Sequence, residues 1–168
     1  GAVDDSHMAA MAASKLSGTV ATARMPTGSV LQVVQNTTTT TTHINSSTTL
    51  TTATNINVAI TPSSSSSKIL VTINAGGLLL GTTNAVLFNM LRDSTTIVAR
   101  ARQGYNSSSA SEWSSIPFVM SYLDSPSTTS AITYSFKIGM GASSSSQLQI
   151  NAGTGTNDAI VTAMEIAG

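Results

Sequence analysis

From Val30 onward the chain alternates apolar and polar positions with a period of two, the pattern of β-strands that bury one face. Val30 to Gln35 opens the series. A threonine run, Thr37 to Thr42, follows, and its β-branched side chains favour extended backbone. Residues 50–60 set Ile56, Val58 and Ile60 on one face, then stop at Pro62 and the serine run Ser63 to Ser67, a turn or loop. Lys68 to Ala75 aligns Ile69, Val71 and Ile73, and Gly76-Gly77 ends it. Residues 85–92 carry Val86, Phe88 and Met90 on one face and Leu87 and Leu91 on the other, as in a strand buried on both sides. Asp93-Ser94 is a tight turn into residues 95–102, which makes a hairpin.

Residues 103–115 lose the periodicity and read as an exposed loop. Beyond them, residues 116–123 group Phe118, Met120 and Tyr122, a turn around Pro126 follows, and residues 132–140 give the cleanest alternation: Ile132, Tyr134, Phe136, Ile138 and Met140. Residues 148–151 and 160–166 complete nine or ten short strands. Their spacing predicts an all-β, antiparallel β-sandwich over residues 30–168. Residues 1–8, ending in Ser6-His7-Met8, read as the remnant of a cleaved expression tag, and residues 9–29 as an Ala-rich linker or the end of a shaft. Setting the tag aside leaves seven basic and five acidic residues, with His43 the remaining histidine.

Composition narrows the functional classes. Only 8% of the 168 residues are charged, against roughly 25% in ordinary soluble domains, while Ser and Thr together supply 53. That argues against exposed helices, which draw on Glu, Lys and Arg. Zero net charge offers no electrostatic footprint for nucleic acid or an anionic membrane. Without cysteine there is no disulfide or thiolate site, and no apolar run approaches the ~20 residues of a membrane-spanning helix.

The same scarcity of charge bears on assembly. A monomeric sandwich solvates its outer faces and guards its edges with Lys and Glu. Here Leu78, Leu79 and Leu80, residues 85–92 and residues 160–166 are apolar on both faces. A symmetric assembly would bury the surplus, with Leu78, Leu79, Leu80, Ile160, Met164 and Ile166 as candidate interface residues. The alternative places Leu78 to Leu80 in the core of a monomer.

Catalytic chemistry finds little support. His43 stands beside the threonine run with no nucleophile elbow in the chain. Asp93 and Asp124 fall in turns, and Asn157-Asp158 reads as another. Glu165 lies within an apolar strand and needs a partner if buried, for which Arg92, Arg100 and Arg102 are candidates. No metal, phosphate-cradling or cofactor motif is present. The aperiodic segment holds Tyr105, Asn106, Glu112 and the single tryptophan, Trp113. An aromatic ring among amides and hydroxyls suits stacking on a sugar face, so these four are the candidate receptor contacts. The alternative folds Trp113 inward as a core or interface plug, since large aromatics are mostly buried.

Residues 16–34 (LSGTVATARMPTGSVLQVV) resemble the junction before terminal domains of tail-fibre and other virion proteins of tailed phages, particularly marine and cyanobacterial ones. ITPSSSSSKILV at 60–71, LRDS at 91–94, LDSPSTTSAITY at 123–134 and MEIAG at 164–168 are similar to later landmarks of that group. The resemblance implies a jelly-roll-like sandwich, usually trimeric, at the distal end of a fibre, and it implies no receptor. The function expected from strands, loops and resemblance together is that of a homotrimer displayed extracellularly on the virion, with a bacterial surface glycan or outer-membrane protein as partner. It implies neither catalysis nor cofactor. Two alternatives remain open: a structural virion component with no receptor, such as a capsid decoration or fibre cap, and a polysaccharide depolymerase.

Overall fold

A computed structural model describes residues 21, 24–45, 48–80, 84–106, 113–141, 147–151 and 159–168. Ten strands run through them: β1 (Val30–Thr38), β2 (Thr42–Asn45), β3 (Thr51–Ile60), β4 (Lys68–Leu80), β5 (Asn84–Arg92), β6 (Thr95–Asn106), β7 (Trp113–Asp124), β8 (Ile132–Met140), β9 (Gln147–Ile150) and β10 (Ala159–Ile166). All pairings are antiparallel. One edge of β4 pairs with β7 along its length, and the other pairs first with β10 and then with β9. Since β1 pairs β10 and β2 pairs β9, β1 with β2 and β9 with β10 each act as one interrupted strand.

Numbering the resulting eight strands in chain order gives sheets ordered 1-8-3-6 and 2-7-4-5. That order is the double Greek key of a jelly roll. The protein is therefore an all-β antiparallel sandwich of jelly-roll topology, and the assignment rests on register.

Alternation fills the space between the sheets. Ile69, Val71, Ile73 and Phe118 point inward from the first sheet, and Val86, Phe88, Tyr134, Phe136 and Ile138 from the second. Phe88 packs its ring 5.9 Å from Phe118 and 5.3 Å from Phe136, both tilted, so the two sheets meet through an aromatic cluster. Along β8 the alternation is as clean as in the sequence, and β5 is buried from Ala85 to Leu91 on both faces.

Four local expectations change. Gly76-Gly77 does not end a strand, because β4 continues through it to Leu80. A Cβ on Gly77 would lie 2.1 Å from Phe118 Cε2, so this glycine is the gap that admits the ring. Of the segment 103–115 read as a loop, residues 103–106 belong to β6 and residues 113–115 to β7, while 107–112 lie outside the described residues. The threonine run is extended at both ends but breaks between Thr38 and Thr42, where Thr40 N donates to Thr38 Oγ1 at 3.1 Å. Finally, β3 contains a bulge between Thr52 and Asn57. Ala53 and Ile56 both face inward three positions apart, and Asn55, at φ 59°, absorbs the extra residue.

Candidate functional site

The register aligns the outer face of the first sheet row by row. Val33, Met164, Leu70 and Leu123 lie abreast across β1, β10, β4 and β7. Val30 and Ile166 adjoin them on one side, ending at Lys68. On the other side comes a polar row of Gln35, Thr162, Thr72 and Ser121, then Thr37, Ile160, Asn74 and Val119. Val30, Val33, Val119 and Leu123 are 53%, 58%, 57% and 47% exposed, unusually open for aliphatic side chains, while Leu70, Met164 and Ile166 are half-buried. Among these rows Lys68 is the single charged residue. A band of adjoining apolar side chains crosses a four-strand face where solvated sheets carry Lys and Glu.

The candidate interface residues divide between two places. Ile160, Met164 and Ile166 share this outer face, on β10. Leu78, Leu79 and Leu80 lie at the far end of β4, opposite Ser115, Ser114 and Trp113 of β7. Eight residues separate Leu78 from Leu70, roughly 26 Å of strand. Val33, Leu70 and Leu123 were not singled out from sequence. Each is an ordinary alternate position until the register puts it beside Met164.

Three of the four candidate receptor contacts lie at strand ends. Tyr105 and Asn106 close β6, opposite Ala85 and Asn84, and Trp113 opens β7. Glu112 lies outside the described residues, as does Asp158. The backbone thus brings Tyr105, Asn106 and Trp113 to one end of the sandwich, at adjacent strand ends. His43 is exposed on β2 opposite Gln149. Among the described residues, no group of three or more His, Asp or Glu side chains could hold a metal ion.

Two buried carboxylates tie together parts of the chain distant in sequence. Glu165 is fully buried, and among the described residues its partners are Gln32 and Ser63 and not Arg92; the side chains of Arg100 and Arg102 lie outside the description. Gln32 Nε2 donates to Oε2 at 2.5 Å, and Ser63 N and Oγ each donate to Oε1 at 2.7 Å. Burial works to raise its pKa. Hydrogen bonds from Gln32 and from the Ser63 hydroxyl and backbone N–H outweigh that effect and hold the carboxyl below the ordinary carboxylate range. The serine run read as a plain loop is therefore half of a carboxylate cradle.

Arg92 instead reaches Asp124, which ends β7 and is buried. Its Nη1 lies 3.1 and 2.8 Å from the two carboxylate oxygens, and Tyr134 Oη donates to Oδ2 at 2.8 Å. Burial, then the hydrogen bond to Asp124 and its charge, push the Tyr134 phenol far above its ordinary value. Strands β5 and β8 of one sheet are thereby tied to β7 of the other. Each carboxylate is held by several hydrogen-bond donors, and among the described residues neither is hydrogen-bonded to a second acid, the arrangement expected of structural groups.

Neither a protein-family model nor a curated protein matches the sequence. Among solved structures the chain is similar to infectious bursal disease virus of the Gx strain, at 14% identity and a TM-score of 0.40, covering 83% of this chain and 39% of that one. The Gt strain gives 12% identity and a TM-score of 0.41, with coverage of 83% and 39%. The VP2 subviral particle of the same virus gives 13% and 0.40, with coverage of 83% and 38%. The chain thus spans about two-fifths of the length of the chains it matches. Likeness at this level carries no argument about function.

Proposed function

We propose that this protein is a non-enzymatic structural module of a virion, the distal domain of a tailed-phage tail fibre, which trimerises and attaches to a bacterial surface. One observation carries the reading: the apolar, nearly uncharged outer face of the first sheet, with Val33, Met164, Leu70 and Leu123 abreast. Sister copies suit that face because around a rotation axis a patch meets its own symmetry mates, which sets like charge against like, and here only Lys68 has a charge to oppose. The hydrogen-bonded carboxylates and the jelly-roll topology are in keeping with a structural role, and the phage-like segments at 16–34, 60–71 and 123–134 supply the fibre. The interface then comprises Ile160, Met164 and Ile166 with Leu78 to Leu80 at the far end of the sheet. Tyr105, Asn106, Glu112 and Trp113 contact the receptor, a surface glycan or outer-membrane protein, and three weak contacts combine through avidity.

Two experiments test the placement and the role. Gold-labelled antibody raised against the purified chain should decorate fibre tips of the parent virion in electron micrographs; label spread over the capsid would overturn the fibre assignment. Fluorescent domain should adsorb to susceptible cells and compete with phage. Absence of both would remove the attachment role.

A further inference from the structure

Strands β1 and β3 are the edge strands of their sheets on the same side of the sandwich, and the side chains that meet there are amides and hydroxyls. Asn36, Thr37 and Thr38 of β1 with Asn55 and Asn57 of β3 line an open hollow of about 320 Å³. That is at the small end of ligand sites, roughly 300–1,000 Å³. Asn36 Nδ2 donates to the Asn55 carbonyl at 3.2 Å and to the Asn57 carbonyl at 2.8 Å. Both amide protons are used, so the group is fixed and its Oδ1 is left as an acceptor. Asn55, held by the β3 bulge, donates Nδ2 to Thr40 Oγ1 at 3.1 Å and likewise keeps its Oδ1. The Asn57 amide and the Thr37 hydroxyl make no side-chain hydrogen bond among the described residues.

We propose that this hollow is a glycan-binding site, in which Asn36, Asn55, Asn57 and Thr37 pair with the hydroxyls of a neutral sugar. A sugar hydroxyl both donates and accepts, and the hollow offers oriented acceptors beside an amide and a hydroxyl that do both. An anion would meet no cation here. An apolar ligand would strand the amides at the cost of unmade hydrogen bonds. The site faces away from the ends of β6 and β7, on the opposite edges of the two sheets, so it is separate from the Tyr105 to Trp113 contacts. It shares with the attachment reading only the ligand class, and it does not depend on trimer formation.

The experiment is a titration of ¹⁵N-labelled protein with chitotriose, maltotriose and mannobiose, reading asparagine side-chain amide signals. At least one sugar should give saturable shifts at Asn36, Asn55 and Asn57. Asn57→Ala should weaken that binding roughly threefold to tenfold with an unchanged backbone spectrum, as expected for one lost hydrogen bond. Trp113→Ala should leave it intact. No saturable shift with any of the three, or binding that survives Asn57→Ala and disappears with Trp113→Ala, overturns the site.

Discussion

Replacing Asp124 with Ala removes the acceptor that Arg92 and Tyr134 share between the two sheets. The consequences for the two partners differ. Tyr134 is 0% exposed, so its phenol would be left without a partner and unable to reach water, a loss of about 1–3 kcal/mol. The Arg92 side chain is 27% exposed and can turn to solvent, so its share stays near the scale of partly exposed pairs, about 0–1 kcal/mol. Asp124→Ala should therefore destabilise the fold by roughly 1–4 kcal/mol. Tyr134→Phe leaves Asp124 with Arg92 and should cost only about 1 kcal/mol. Because the two residues are bonded directly, the double variant should depart from additivity by about 1 kcal/mol in a double-mutant cycle. Urea denaturation at one fixed protein concentration measures all four states, the concentration being held because self-association adds to apparent stability. If Asp124→Ala falls within about 0.5 kcal/mol of the parent, or the pair is additive within about 0.3 kcal/mol, the reasoning about a cross-sheet tie fails.

Other outcomes follow from the same geometry. Gly77→Ala forces a Cβ into the Phe118 ring and should cost about 1–3 kcal/mol in the same urea assay, whereas Gly76→Ala, with nothing within 4 Å of its Cβ, should be nearly neutral. Equal costs would remove the packing explanation. Glu165→Gln sets an amide against the Gln32 donor and should cost about 1–3 kcal/mol. Stability should also fall at both ends of the pH scale. The Glu165 carboxyl titrates lower in the folded chain than in the unfolded one, so its contribution is present above the unfolded carboxylate pKa, about 4.3, and is lost as pH falls. Tyr134 titrates higher when folded, so its contribution is present below the unfolded phenol pKa, about 10, and is lost as pH rises past it. Glu165→Gln should flatten the acid limb and Tyr134→Phe the alkaline one; unchanged limbs would assign the pH dependence to other groups.

Much of the fold is legible as a period of two, because each strand's inward side chains recur regardless of partner. Strands β5, β8 and β10 are visible in this way. What escapes depends on residues distant in sequence. Gly77 looks like punctuation until Phe118 is placed against it, and the serine run looks like a plain turn or loop until Glu165, on the last strand, is seen to need the Ser63 donors. The bulge at Asn55 leaves only a skipped beat between Ala53 and Ile56. The outer face is the clearest case. Ile160, Met164 and Ile166 stand out as apolar residues on a second strand face, but Val33, Leu70 and Leu123 join them only through pairing register, which alternation does not encode. A buried carboxylate needs a partner, for which the sequence offers Arg92, Arg100 and Arg102; among the described residues the chain instead uses neutral amide, hydroxyl and backbone N–H donors.

The most direct measurement is the molar mass of the purified protein by light scattering at micromolar concentration, for the parent and for a variant carrying Val33→Lys and Leu123→Lys. Three chains of 17.1 kDa should elute together at about 51 kDa, and the two lysines should return the variant to a folded single chain. A parent that elutes at 17 kDa, or a lysine variant that keeps the full assembled mass, would contradict the claim that this face joins the copies.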